Sequence, residues 1–184
     1  MKENNQYMRV TEVLSPFSGL KNIPKEILDN ACIRGIYVHT KIDAIISQMG
    51  CQENHELWDK YVESFEKWMP KDFINKPDRF FCEQYNITGE CDAIYKDQEG
   101  LVLVDFKTPV NESKTWAIQG SAYSYLAKKA GYDIKRIEFV KLSKTGSKPK
   151  VYVYEENFEM FLKCLDIFKM FFKNIRQDEA LDYI

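Results

Sequence analysis

Two β-type runs dominate the middle of the chain. Leu101-Val102-Leu103-Val104 is an apolar stretch closed by Asp105-Phe106-Lys107, and Gly89-Glu90-Cys91-Asp92-Ala93-Ile94-Tyr95 precedes it across the turn Lys96-Asp97-Gln98-Glu99-Gly100. Two such runs around an Asp- and Gly-containing turn predict a hairpin. A third run, Arg79-Phe80-Phe81-Cys82, follows the turn signal Pro77-Asp78 and makes the predicted set a three-strand meander. Farther on, Ile137 to Leu142 and Val151 to Tyr154 flank the loop Ser143-Lys144-Thr145-Gly146-Ser147-Lys148-Pro149, a second strand pair.

Helical periodicity fills the rest. Pro24-Lys25-Glu26 opens a short helix, with proline at its favoured early position. Val38, His39, Ile42, Ile45 and Ile46 fit a helical face, and a stripe of Leu57, Tyr61, Phe65 and Trp68 predicts another helix beginning at Asn54-His55-Glu56. That stripe reads as core, and His55 is given no role. Good helix formers from Glu112 onward, ended by Gly131, predict a helix of about four turns. Asn157 to Ile175 is helical and apolar around much of its circumference, so the domain or a second subunit should cover it. Helices, meander, helix, two strands and a last helix together predict a mixed α/β domain with helices packed on a central sheet.

The chemistry lies at the strand ends. Side chains alternate along a strand, so Asp105 and Lys107 point the same way and Phe106 points opposite. Charges closing a run such as Leu-Val-Leu-Val are costly unless paired. At this composition about three acid-x-lysine spacings arise by chance, and three occur: Asp105-Lys107, Glu112-Lys114 and Asp133-Lys135. Only the first closes an apolar strand and follows a strand-borne carboxylate, Asp92. Two readings stay open: a hairpin ended by a salt bridge, or two carboxylates and a lysine converging to hold a hard divalent cation beside an amine. Gln119 and Tyr123, four apart, share a helix face, with Trp116 one turn earlier. His39 is either a satisfied core histidine or a ligand.

His39, then Gly89-x-x-Asp92, then Asp105-x-Lys107, then Gln119-x-x-x-Tyr123 resembles the RecB-like branch of the PD-(D/E)xK nucleases, which includes phage and CRISPR-associated exonucleases. Thr11-Glu12-Val13-Leu14-Ser15-Pro16-Phe17 and Arg34-Gly35-x-x-Val38-His39 are similar to the N-terminal helical segment of that branch, and the resemblance runs from about residue 10 to 155. The Pro-Asp of the family name is absent before Asp92, where Glu90-Cys91 stands. The literal Pro77-Asp78 lies too far upstream to replace it. The resemblance implies a restriction-endonuclease-like core: a central mixed β-sheet flanked by helices in one domain spanning residues 1–184. Its parts would be an N-terminal helical segment at about 1–75, a catalytic α/β core at about 76–155 and a C-terminal helix at about 156–176.

It also implies a divalent-metal-dependent DNA nuclease, exonuclease-like, acting in recombination, repair or phage DNA processing. Asp92, Asp105, the Phe106 backbone carbonyl and His39 would hold Mg²⁺ or Mn²⁺, the imidazole favouring the latter. Lys107 would position the attacking water, and Gln119 and Tyr123 would orient Lys107 or the scissile phosphate. Glu83 or Glu90 could join the metal. Some members carry an iron–sulfur cluster on clustered C-terminal cysteines. Here the tail offers Cys164 and no Cys-x-x-Cys occurs, so no cluster is expected. The alternatives are a nuclease-fold protein that binds nucleic acid or a recombination partner without cutting, and a structural α/β domain.

Composition adds detail. The 184 residues suffice for one full core, and five cysteines without framework spacing suit a reducing compartment. Met1-Lys2-Glu3-Asn4-Asn5-Gln6 is not a signal peptide and no apolar run approaches the ~18 residues of a membrane span, so a cytoplasmic protein without membrane contact is expected. A net charge of −2 does not advertise nucleic acid. The stretch from Lys135 to Lys150 is nevertheless basic: Lys135, Arg136, Lys141, Lys144, Lys148 and Lys150 against Glu138. These lysines either track a phosphate backbone or guard sheet edges. The expected DNA contacts are Arg34, Lys144 and Lys148, and the expected partners are DNA and either further copies of the chain or a single-strand-annealing or recombination protein.

Overall fold

A computed structural model describes residues 7–49 and 54–172. Strand β1 (Met8–Arg9) and helix α1 (Val10–Leu14) lead through two short 3-10 turns into α2 (Lys25–Ile46) and α3 (Asp59–Glu66). Then follow β2 (Phe80–Cys82), β3 (Ile87–Gly89), β4 (Ala93–Lys96), β5 (Leu101–Lys107), α4 (Thr115–Lys129), β6 (Ile134–Lys141), β7 (Lys150–Tyr154) and α5 (Phe158–Phe171). The strands form two mixed sheets, of order β1-β3-β2 and β4-β5-β6-β7. In the larger sheet β5 runs antiparallel to β4 and parallel to β6. The parallel pair requires a crossover, which α4 provides.

The mixed α/β architecture with helices against the sheets agrees with the sequence, but the meander does not survive. The run Gly89 to Tyr95 is cut in two. Its first part, β3, pairs with β1 and β2, and after Glu90-Cys91-Asp92 the chain enters the larger sheet as β4. Asp92 therefore sits in the crossing segment, immediately before β4. Strand β1, two residues long and polar at Arg9, carries no periodic signal.

Two helix boundaries also differ. The short helix at Pro24 and the face around His39 are one helix of 22 residues with Pro24 as N-cap. Gly35 inside it costs about 1 kcal/mol relative to alanine, which burial of Leu28, Val38, Ile42 and Ala44 offsets. Helix α3 starts at Asp59 rather than at Asn54, so Leu57 is left exposed while Tyr61 and Phe65 are buried. His55 has a structural role after all: Trp58 N donates to its Nδ1 at 3.3 Å and the two rings stack at 3.8 Å. Helix α5 begins at Asn157, whose side chain accepts from Met160 N, and residues 173–176 of its expected length lie outside the described residues.

The larger sheet has a core on each face. Val102, Val104 and Phe106 face Val38 and Ile42 of α2 and Phe65 of α3. Leu103, Ile137 and Phe139 face Trp116, Tyr123 and Leu126 of α4, and Phe161, Leu165 and Phe168 of α5 complete that side. The domain thus covers one face of α5, while Met160, Ile167, Met170 and Phe171 stay exposed. Alternation along β5 sends Asp105 and Lys107 to the α4 side. Among the described residues no helix is long and apolar enough to cross a membrane.

Candidate active site at the ends of β4 and β5

Strand β4 pairs Ala93 with Val104, so the same register extended by one step sets Asp92 against Asp105. Beyond that point β5 has no strand on its β4 side, and a backbone donor there would be unsatisfied. The Asp92 side chain fills the role: Oδ2 accepts from Phe106 N at 2.5 Å. Its Oδ1 lies 3.0 Å from His39 Nδ1 on α2. One carboxylate thus ties the crossing segment to β5 and to α2. The His39 ring also meets the Phe106 ring edge-on.

Behind Asp92 lies a buried polar chain. Lys107 Nζ is 2.8 Å from Asp105 Oδ2 and donates to Gln119 Oε1 at 3.2 Å, and Gln119 Nε2 donates to Tyr123 OH at 3.0 Å. All four residues are less than a tenth exposed. Lys107 Nζ also lies 5.3 Å from the centre of the Phe139 ring, which favours its charge. Helix α4 approaches closely enough to deliver Gln119 because Gly120 faces the sheet: a Cβ there would lie 2.6 Å from Ile137. Despite the proximity of Lys107, Asp105 Oδ2 accepts no well-directed hydrogen bond. A buried carboxylate oxygen with lone pairs to spare is costly in a dry setting.

The two carboxylates are driven apart. For Asp92, burial opposes charge, but His39, the Phe106 amide and Lys107 together hold its carboxyl below the usual range. For Asp105, burial and the neighbouring Asp92 charge outweigh Lys107 and push the carboxyl up to about 6. Burial alone would lower His39, but the Asp92 carboxylate, with Asp105 behind it, raises its pKa. Burial dominates at Tyr123, whose hydroxyl is held far above its usual range and stays protonated. A pair of unlike carboxylates beside one lysine is a common signature of a functional site.

A cleft of about 310 Å³ opens on this arrangement, lined by His39, Asp92 and Phe106 together with Asp43, Lys76, Asp78 and Glu90. Asp105 and Lys107 are not among its lining residues. Glu90 is held by Arg79 at 3.1 Å. Asp43 follows His39 by one helical turn, a relation legible in the sequence but not singled out. Asp78, read as a turn residue, does belong to a bend and also lines the cleft. Glu83 is not among the lining residues. Among the described residues no group of three or more His, Cys, Asp and Glu side chains is arranged to hold a metal ion. The oxygen donors at hand are the Asp92 and Asp105 carboxylates and the Phe106 carbonyl.

The expected DNA contacts lie elsewhere. Arg34 packs its guanidinium over the Tyr61 ring at 5.7 Å. Lys144 and Lys148 are exposed in the β6–β7 loop, which docks on α3 through Ser143 N to Ser64 Oγ at 2.9 Å and through Lys67 to the Gly146 carbonyl. Other members of the basic stretch are engaged: Lys135 pairs with Asp133, Arg136 with Asp97, Glu99 and Glu138, and Lys141 donates to the Val110 carbonyl.

No family model matches the chain, and no curated protein matches it. Solved structures do. The chain superposes on the "Putative exonuclease" from Eubacterium rectale with a TM-score of 0.50 at 15% identity, covering 91% of this chain and 79% of that one. It also matches the structure of SSO0001 with a TM-score of 0.49 at 13% identity, covering 92% and 78%. At such identity the first likeness establishes a shared fold and nothing finer.

Proposed function

We propose that the protein is a divalent-metal-dependent DNA nuclease that shortens strands from their ends. The observation that carries this reading is Asp105: a buried carboxylate set against Asp92 and ion-paired through Oδ2 to Lys107, with no well-directed hydrogen bond at that oxygen. The nuclease-like fold supports it. The donors suit a hard cation, since Asp92, Asp105 and the Phe106 carbonyl are oxygen ligands and Asp105 has a lone pair to give. His39 joins them by family resemblance and extends the choice from Mg²⁺ to Mn²⁺. When bound, the ion supplies Lewis acidity that offsets charge on the phosphate and makes water a better nucleophile.

The remaining steps belong to the chain's own residues. His39, fixed by Asp92, presents Nε2 as its free ring position. Lys107, ion-paired to Asp105, would offset the negative charge that develops on the phosphate. Gln119 accepts from Lys107 and donates to Tyr123, which holds the amine in one orientation. The Phe139 ring, 5.3 Å from Lys107 Nζ, and the burial of all three side chains keep water from competing for these bonds.

End-labelled single- and double-stranded DNA incubated with Mg²⁺ or Mn²⁺ tests the reading. Progressive shortening by the wild type, absent with chelator and in Asp105→Asn, is the expected result. Retained DNA binding without cleavage under any divalent ion would favour a non-cleaving nuclease-fold protein instead.

A further inference from the structure

The two edges of the larger sheet are treated differently. Outside β4, the segment around Phe73 closes the edge: Phe73 bridges to Tyr95, Ile74 N donates to the Ile94 carbonyl at 2.8 Å and Lys96 N to the Asp72 carbonyl at 2.9 Å. Outside β7, no backbone partner is present among the described residues. Edge strands are usually blunted by bulges, prolines or charged side chains, lysine above all, because unpaired amides and carbonyls template further pairing, and β7 has lysine only at its start. Within Lys150–Tyr154 the register to β6 is unbroken and proline occurs only before it, at Pro149. Its outer face is apolar and open, with Val151 36% and Val153 60% exposed.

The strand is also charge-polarised along its length. Lys148 and Lys150 stand at its start, Glu155 and Glu156 just past its end. Such a strand is complementary to itself when reversed. We infer that β7 pairs antiparallel with β7 of a second copy of this chain, about a two-fold axis at Val153, joining two four-stranded sheets into one of eight strands. That axis stands perpendicular to the sheet, so opposed residues share a face and their numbers sum to an even value. Centred on Val153, the register opposes Val153 to itself, Tyr152 to Tyr154 and Lys150 to Glu156. Glu156 already accepts from Ser124 and from Lys128 at 2.8 Å, so the incoming lysine extends an existing ionic cluster. Tyr152 and Tyr154 stack on each other beneath this face, and Lys150 lies 4.3 Å over the Tyr152 ring.

A five-residue pairing falls short of the roughly 1,200–2,000 Å² of stable interfaces, so the dimer forms in a concentration-dependent way. The test uses the full chain. Sedimentation velocity over a concentration series should show monomer passing to dimer, and Val153→Lys, which opposes like charges across the axis, should weaken association at least about tenfold. Val153 is solvent-exposed, so the substitution should leave the far-UV circular dichroism unchanged. Val153→Cys reports the register directly. Opposed Cα atoms are about 4.5–5.5 Å apart, within disulfide range, so diamide should cross-link Val153→Cys well above the wild-type background and above Val151→Cys. A wild type that stays monomeric to its solubility limit overturns the inference. Association insensitive to Val153→Lys, or equal cross-linking at 151 and 153, overturns it as well.

Discussion

Gly89 and Tyr123 are packed so closely that a Cβ on Gly89 would lie 2.7 Å from Tyr123 Cε1. The contact joins the last residue of β3 to the far end of the chain Lys107–Gln119–Tyr123, and it lies three residues before Asp92. Backbone approach at this point lets the buried tyrosine reach Gln119. Gly89→Ala should therefore displace the Tyr123 ring, cost about 1–3 kcal/mol of stability through overpacking and lower kcat. Tyr123→Phe removes only the hydroxyl and should lower kcat with a smaller loss of melting temperature. If Gly89→Ala lost stability with kcat intact, Tyr123 would be a packing residue and no more.

Asp105→Asn and Asp92→Asn should each lower DNA cleavage by about a thousandfold or more, because an amide is a weaker, uncharged ligand for a hard cation. Their structural consequences should differ. Asp92 also bonds Phe106 N and His39, so its variant should free the crossing segment from β5 and α2, whereas Asp105→Asn should melt earlier because it leaves the buried Lys107 without its counter-charge. Calorimetric Mn²⁺ titration beside the activity assay gives a readout independent of turnover. Wild-type cleavage by Asp105→Asn would remove the nuclease site from this location.

Lys107→Ala should abolish turnover while retaining the ion, since a protonated lysine is not a ligand. The 2.8 Å ion pair with Asp105 adds a condition. Without Lys107 the buried carboxylate is less favoured, so metal affinity of the variant should weaken more steeply on acidification than that of the wild type. Loss of metal binding at every pH, or unfolding, would make Lys107 a structural counter-charge.

Asp59 offers a test of stability away from the cleft. It accepts from Tyr37 OH at 2.6 Å, Lys41 Nζ at 2.8 Å and His55 N at 3.0 Å, tying α2 to the start of α3. Burial opposes its charge, but these donors hold its carboxyl below the ordinary 3.8. The folded state thus favours the ionised form. The stability this contributes is present above the unfolded value and is lost as pH falls through the lowered folded one. Asp59→Asn should cost about 1–3 kcal/mol near neutral pH, with the gap to wild type closing below pH 3.8. Chemical denaturation at pH 7, 5 and 3 measures it, and a gap unchanged by acid would mean that charge is not what Asp59 contributes.

Long periodic segments were legible before the structure, as were the partners along one face. Leu101 to Lys107 and Thr115 to Lys129 emerged close to their expected bounds, and Lys107, Gln119 and Tyr123 meet because helix spacing and strand alternation both reach that face. The break at Glu90-Cys91-Asp92 was hidden, since a chain changing sheets keeps the same apolar composition on both sides. Strand β1 was hidden because two residues have no period and their pairing with Ile87 and Thr88 is non-local. The cleft residues Asp43, Lys76 and Asp78 come from separate segments that only tertiary packing assembles. Arg34 failed to reach the cleft for a local reason: Tyr61 of α3 offers its guanidinium a ring to pack on.

The basic β6–β7 loop offers a test of the proposed DNA contact. Lys144 and Lys148 are exposed and their loop is braced on α3, so the charges are presented from a fixed platform. If they contact the backbone, neutralising both should weaken DNA binding and reduce the log–log salt slope by roughly two units, one per lost phosphate. Catalytic rate at saturating DNA should be unaffected, because neither residue lines the cleft. If they only guard the sheet, DNA affinity should hold while the protein aggregates sooner on heating. Binding isotherms at three salt concentrations, with light scattering on the same samples, separate the outcomes. Equal slopes for the variant and the wild type would move the substrate path to the cleft, which half-buried Lys76 lines together with His39.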